Sequence, residues 1–181
     1  MRFNKTNLNG LYVIQFEPYQ DERGLFYRVY CKNEIKELNL ENDIVQINQS
    51  KTLKKGSIRG MHFQYPPMSE DKMVKCLKGA VYDVAIDLRK GSPTLLQWHG
   101  ELLSAENLKM IYIPKGFAHG FQTLNKNSEL LYLHTEFYSP KHEGGIRYDD
   151  PLIGIKWPLK IADISEKDKN YELLTKDFKG I

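Results

Sequence analysis

Met73-Val74-Lys75-Cys76-Leu77, Lys78-Gly79, Ala80-Val81-Tyr82-Asp83-Val84-Ala85-Ile86-Asp87-Leu88 places two short apolar runs on either side of a turn signal. Runs this short and this rich in β-branched residues read as strands. In the second run Tyr82, Val84, Ile86 and Leu88 share one face, which leaves Asp83 and Asp87 on the other with Val81 and Ala85. The same kind of run recurs at Leu11–Phe16, Leu25–Cys31, Ile44–Ile47, Ile58–Phe63, Leu95–Leu103, Met110–Ile113 and Leu130–Tyr138. Turn signals separate them, among them Asp21-Glu22-Arg23-Gly24, Lys54-Lys55-Gly56, Tyr65-Pro66-Pro67, Lys90-Gly91-Ser92-Pro93 and Pro114-Lys115-Gly116. Many short strands punctuated in this way predict an all-β sandwich or barrel.

Two segments read as helix: Lys32 to Leu38, and the tail from Ser165, where Ser165-Glu166-Lys167-Asp168 has the form of an N-terminal cap. Ser139 to Pro158 has no clear period and is expected to wrap the barrel. In Leu130–Tyr138 one face carries Tyr132, His134, Glu136 and Tyr138, and the other Leu131, Leu133, Thr135 and Phe137. Polar residues belong outside in a packed sandwich and inside in a barrel with a ligand-filled lumen, and periodicity leaves both open.

The length of 181 residues suits one domain spanning 1–181. Twenty-six basic against 23 acidic residues give a net charge of +3, too small a bias for a nucleic-acid partner but compatible with a local pocket for a small anion. Cys31 and Cys76 lack metal spacing and read as free thiols. The longest apolar run near the start is too short for a membrane span or a signal segment, so no membrane partner and a cytoplasmic location are expected.

Within Ile58–Gln64 an Arg and a His stand three residues apart, at Arg59 and His62. A guanidinium suited to phosphate beside a base that titrates near neutrality points to chemistry on a charged metabolite. Taken alone, His62 also fits a hydrogen-bonded core histidine, Lys72 a strand-edge lysine, Tyr132 a packing residue, and Arg23 and Arg59 surface ion pairs. Asp168 likewise fits a partner of a helix dipole.

Pro114-Lys115-Gly116-Phe117-Ala118-His119 has the pattern Pro-x-Gly-x-x-His, which resembles the second motif of the cupins, small double-stranded β-helix barrels. Where metal-binding cupins have a His-x-His pair, this chain has His62 and then Gln64, so a metal-free site without a cofactor is expected. The order of blocks is then similar to the dTDP-4-dehydrorhamnose 3,5-epimerase family, the RmlC-type cupins. The blocks are Asp21–Phe26, Ile58–Gln64, Lys72–Val74, Val81–Asp87, Leu103–Asn107, Ile113–Phe121, Leu131-Tyr132, Asp149–Pro151 and Ile155–Pro158. The likeness runs from about Phe16 to Pro158 and extends to Asp168.

The resemblance implies a cupin homodimer, with strand exchange near the N-terminal region, acting on a nucleotide-diphospho-4-keto sugar. By that resemblance His62 is the base, oriented by Asp168; Lys72 stabilises the enolate; and Tyr132 is the acid on the opposite face of the sugar. Arg23, Phe26, Gln46, Asn48, Arg59, Asp83 and His119 bind the substrate or shape its pocket. The implied reaction is epimerisation at C3 and C5 of a 4-keto-6-deoxy sugar destined for a cell-surface polysaccharide.

Arg28 stands where the family usually has a Glu near the nucleobase, Gln46-Ile47-Asn48-Gln49 replaces a Gln-Asp-Asn-His run, and Phe137-Tyr138 replaces paired tyrosines. These departures keep open a C3-only epimerase acting on a CDP- or GDP-linked sugar, including a 4-keto-heptose. A metal-dependent cupin oxygenase or isomerase and a non-catalytic nucleotide-sugar binding module are the rivals from other classes. Strict alternation also sets Arg59 and His62 on opposite faces of one strand. For both to reach one ligand, a bulge, the strand's end or a second subunit must intervene.

Overall fold

The computed structural model describes residues 1–38 and 43–181. The chain opens with β1 (Arg2–Lys5) and β2 (Tyr12–Gln15), a hairpin of β3 (Tyr19–Asp21) and β4 (Gly24–Phe26), and a helical turn α1 (Lys32–Ile35) extended by a 3-10 turn at Lys36–Leu38. The body follows as β5 (Gln46–Thr52), β6 (Ile58–Gln64), β7 (Lys72–Lys78), β8 (Ala80–Asp87), β9 (Trp98–Ser104), β10 (Lys109–Ile113), β11 (Phe117–Thr123) and β12 (Ser128–His134). A short strand β13 (Glu143–Gly145) and a helical turn α2 (Glu166–Lys169) complete it.

One sheet has the order β1-β2-β10-β7-β12-β5 and the other β13-β6-β11-β8-β9. From β5 to β12 every connection except β8–β9 carries the chain from one sheet to the other. That alternation makes the body a double-stranded β-helix of the cupin type, as expected. It also explains why Met73–Leu88 is no hairpin. Gly79 turns the corner between sheets at φ +73°, where a Cβ would meet the Ser128 hydroxyl at 2.8 Å.

Period-2 alternation then separates three apolar clusters. Between the sheets lie Val74, Cys76, Val81, Ala85, Leu103, Ile111, Phe117, Phe121 and Leu130. Ile14, Phe16, Met73, Met110 and Leu133 cover the outer side of the first sheet, packed by Phe3, Tyr27, Ile35 and Leu38 from the N-terminal segment. Val84, Ile86 and Leu88 point out of the second sheet and are covered by Ile146, Ile153, Trp157, Leu174 and Phe178. The segment without a period therefore does wrap the barrel. The open question about Leu130–Tyr138 also closes: Leu131 and Leu133 face outward into the N-terminal cover, and Tyr132 faces inward. Cys31 and Cys76 are free thiols, and burial pushes the Cys76 thiol up to about 11, so it stays protonated.

Strand ends depart from the apolar runs where a polar lumen inverts the pattern. The reading Ile44–Ile47 starts early and stops short, because β5 runs on through Asn48, Ser50 and Thr52, which line a cavity. Leu25–Cys31 holds a strand only at Gly24–Phe26, and Leu95–Gln97 is turn rather than strand. β11, read as a motif after a turn, is a fully buried central strand.

The register of β6 settles how Arg59 and His62 meet. His119 pairs with His62 and Phe121 with Arg59, so two residues of β6 stand against one of β11 and the ladder bulges there. One inserted residue shifts the alternation by a step and turns Arg59 and His62 to the same face. The two backbones touch at this point: a Cβ on Gly60, at φ +112°, would lie 2.6 Å from Gly120 Cα and 2.6 Å from the His119 carbonyl oxygen. Gly60→Ala is expected to cost about 3 kcal/mol or more, the range of a strained core substitution. Urea denaturation of the variant beside the parent protein measures it, and an unchanged midpoint would contradict the close approach.

Candidate active site

A cavity of about 740 Å³ opens at one end of the lumen. Its wall brings together His62 and Arg59 from β6, His119 from β11, Lys72 from β7, Tyr132 from β12, Asn48 from β5 and Asp168 from α2. His62 and His119 come from one sheet, and Lys72, Tyr132 and Asn48 from the facing sheet.

Asp168 is positioned by its own helical turn. The Ser165 hydroxyl accepts the Asp168 backbone N–H at 3.0 Å, the cap anticipated from the sequence, a contact worth about 1 kcal/mol. The Asp168 carboxylate then accepts His62 Nε2–H at 2.7 Å and the Gly60 N–H at 3.2 Å. Burial opposes its ionisation, but the His62 ring and the Gly60 and Ser165 hydrogen bonds outweigh it, so the carboxyl sits below the usual carboxylate range. An ionised partner on Nε2–H fixes the tautomer and leaves the Nδ1 lone pair of His62 for an incoming proton. Tyr171 packs edge-on against the ring, with centroids 6.1 Å apart.

Lys72 is almost buried, and its ammonium lies 3.0 Å from Glu70. Tyr132 shares a hydrogen bond with the Ser50 hydroxyl at 3.0 Å. Burial pushes its phenol up, so it keeps its proton at neutral pH, as a proton donor must. Arg59 donates through Nε to the Thr52 hydroxyl at 3.0 Å, which orients a guanidinium along the wall. His119 is held by Asp83, whose oxygens lie 2.9 and 3.0 Å from Nε2; Asp83 itself is fully buried behind the ring.

Other anticipated residues lie elsewhere in this chain. Gln46 accepts the Tyr138 N–H and is not in the cavity's wall. Arg23 and Phe26 sit on the exposed β3–β4 hairpin, where Arg23 pairs with Asp21 at 2.6 Å and Phe26 is 74% exposed. Arg28 pairs with Glu34 on α1. Gln64, at the place of a second metal-binding His, binds backbone instead: its amide donates to the carbonyls of Met68 and Phe137 and accepts the Ser139 N–H. Among the described residues no three His, Cys, Asp or Glu side chains converge on one point.

Sequence reasoning passed over Glu70, Ser50, Thr52 and His134. Spacing was the signal: His134 follows Tyr132 by two residues, and Ser50 and Thr52 follow Asn48 by two and four, the strand spacing that shares a face, while Glu70 stands two before Lys72, just ahead of β7.

This is a jelly-roll barrel of the double-stranded β-helix class that sets an imidazole–carboxylate pair on one wall of its lumen and an ammonium and a phenol on the other, the kinds of group that proton transfer requires. A family model described as dTDP-4-dehydrorhamnose 3,5-epimerase matches residues 5–176. The chain is 44% identical over 176 residues to the dTDP-4-dehydrorhamnose 3,5-epimerase of Methanothermobacter thermautotrophicus, covering 96% of this chain and 94% of that one. Among solved structures it is similar to the Bacillus anthracis enzyme with TDP and PPi bound (TM-score 0.92, 38% identity, 96% of this chain and 99% of that one). It is also similar to Legionella pneumophila RmlC in complex with dTDP-4-keto-L-rhamnose (TM-score 0.91, 40% identity, 95% and 92%). The chain belongs to the dTDP-4-dehydrorhamnose 3,5-epimerase family, carbohydrate epimerases of the isomerase class.

Asp168→Asn keeps the shape of the dyad and removes its charge. It is expected to lower kcat by about a hundredfold to ten-thousandfold, the range for a neutralised orienting carboxylate, with a smaller effect on KM. Steady-state kinetics of the variant test this, and a kcat within twofold of the parent would remove Asp168 from the dyad.

Proposed function

We propose that the protein epimerises a dTDP-linked 4-keto-6-deoxy sugar at C3 and C5, as one domain working in a cytoplasmic homodimer. The observation that carries this reading is the division of roles between the sheets. The base, His62, comes from one wall, and the cation and the acid, Lys72 and Tyr132, from the other. Inversion at a carbon needs a proton to leave one face and another to arrive at the opposite face, and facing sheets supply both.

The ketone at C4 acidifies the C–H bonds at C3 and C5. His62 Nδ1 takes such a proton, the C–H electron pair moves into the carbonyl, and the enolate oxygen that forms is stabilised by the Lys72 ammonium. The Tyr132 O–H then gives a proton to the other face, and the ketone is restored. Solvent reprotonates Tyr132 and relieves His62, so atoms and charge balance over a cycle. Arg59 and His119 bind the diphosphate and Asn48 shapes the pocket, with Asp83 holding His119. A dTDP carrier is supported by the nucleotides bound to the Bacillus and Legionella relatives. Arg28 pairs with Glu34 and is not in the wall of its own chain's cavity. Among the described residues no helix is long and apolar enough to cross a membrane.

The reading is tested by NMR in D2O with dTDP-4-dehydro-6-deoxyglucose, and with CDP- and GDP-linked counterparts. Deuterium is expected at C3 and C5 of the dTDP sugar. His62→Asn should slow exchange by about a hundredfold or more, and Tyr132→Phe should impair inversion more than exchange. No exchange by the parent protein on any of the three carriers would refute the reading.

The exposed β3–β4 hairpin supports the homodimer, since Arg23 and Phe26 reach a pocket only if it is the partner's. Mixing His62→Asn with Arg23→Ala subunits is then expected to restore activity to about a quarter of the parent's, one intact site in half of the dimers. Mixtures no more active than their components would place Arg23 outside any site.

A further inference from the structure

Glu70 is one buried carboxylate held between two groups of the cavity wall. Its Oε1 lies 3.0 Å from the Lys72 ammonium and its Oε2 accepts His134 Nδ1–H at 2.7 Å. The sheet dictates this sharing. Glu70 and Lys72 are two residues apart, and His134 is the direct partner of Lys72 in the β7–β12 ladder. On its own strand His134 follows Tyr132 by two residues, and their rings lie nearly parallel, 17° apart with centroids at 6.1 Å. On its far side His134 Nε2 is 3.4 Å from the Asn48 amide nitrogen. Nδ1–H given to Glu70 and the Asn48 amide set against Nε2 fix the orientation of the ring between a carboxylate and an amide.

Among the described residues His134 meets Glu70 just before β7, Lys72 on β7 and Tyr132 on β12, and β5 sets Asn48 and Gln46 beside it. Asp71, beside Glu70, is occupied by the Tyr112 hydroxyl at 3.1 Å and the Lys115 N–H at 3.0 Å. Glu136 accepts the N–H of Phe137. The burial of Glu70 does not neutralise it: desolvation is outweighed by His134 and Lys72, which hold it below the usual carboxylate range.

We propose that His134 is a positioning residue of the reaction, which sets Lys72 through their common carboxylate and Tyr132 through ring contact. This rests on the reading of His62, Lys72 and Tyr132 given above. His134 fixes Oε2 of Glu70, which leaves Oε1 turned to Lys72 and holds the ammonium at one point of the wall, where an enolate oxygen develops.

His134→Gln, which keeps polarity without the ring, is expected to lower kcat by about tenfold and to change KM by less than about threefold. Glu70→Gln, which keeps the shape of the shared group and removes its charge, should do the same. An unchanged kcat in both variants would overturn the proposal. A second measurement needs no substrate: the Lys72 13Cε shift is read by NMR at neutral pH in the unliganded parent protein and in His134→Gln. A displaced Lys72 shift in the variant is expected, and an unchanged one would overturn the coupling. Failure of the functional reading shows separately, as absence of deuterium exchange by the parent protein, and the NMR comparison decides the coupling in that event too.

Discussion

The site depends on the contact between the backbones of Gly60 and Gly120. Two antiparallel strands meet there more closely than any side chain permits, and the ladder admits one extra residue on β6. In a regular strand Arg59 and His62 would look in opposite directions, one into the lumen and one into the outer cover. The bulge turns both inward. It also places the Gly60 N–H against Asp168, so the irregularity that aims the imidazole helps to anchor the carboxylate behind it.

Long-range ties converge on the same place. Asp168 comes from a single helical turn more than a hundred residues beyond His62, and the segment between them crosses the barrel and wraps its outer face. The wrap gives the second sheet an apolar cover and delivers one carboxylate to one histidine. The first sheet is covered by the N-terminal segment, which leaves the β3–β4 hairpin outside with its aromatic residue exposed. Stability and reactivity thus draw on the same two covers, since removing either exposes an apolar sheet face.

The electrostatics follow one design on both walls. Each cavity histidine donates to a buried or nearly buried carboxylate: His62 to Asp168, His119 to Asp83 and His134 to Glu70. The carboxylates pin the tautomers and supply charge that would be costly to bury without partners. Lys72 draws on the same supply through Glu70, so an ammonium can stand in a nearly closed wall without a counter-ion from solvent.

The strands of the body were legible in the sequence because β-branched runs alternate with turn residues, and the sheets bury apolar faces on both sides. The cap at Ser165, the free thiols and the wrapping segment could also be read locally. β5 was misread because Asn48, Ser50 and Thr52 are polar residues that point inward, toward a cavity, where a rule based on burial expects apolar ones. The family blocks singled out His62, Lys72, Tyr132 and Asp168, but residues far apart in the chain meet only through pairing. Which face of β12 lines the lumen, how Arg59 joins His62, and that Glu70 serves Lys72 and His134 together were decided by tertiary structure. The physical reason is that a one-residue shift in register reverses every side chain of a strand, and register is fixed by partners that the local sequence does not contain.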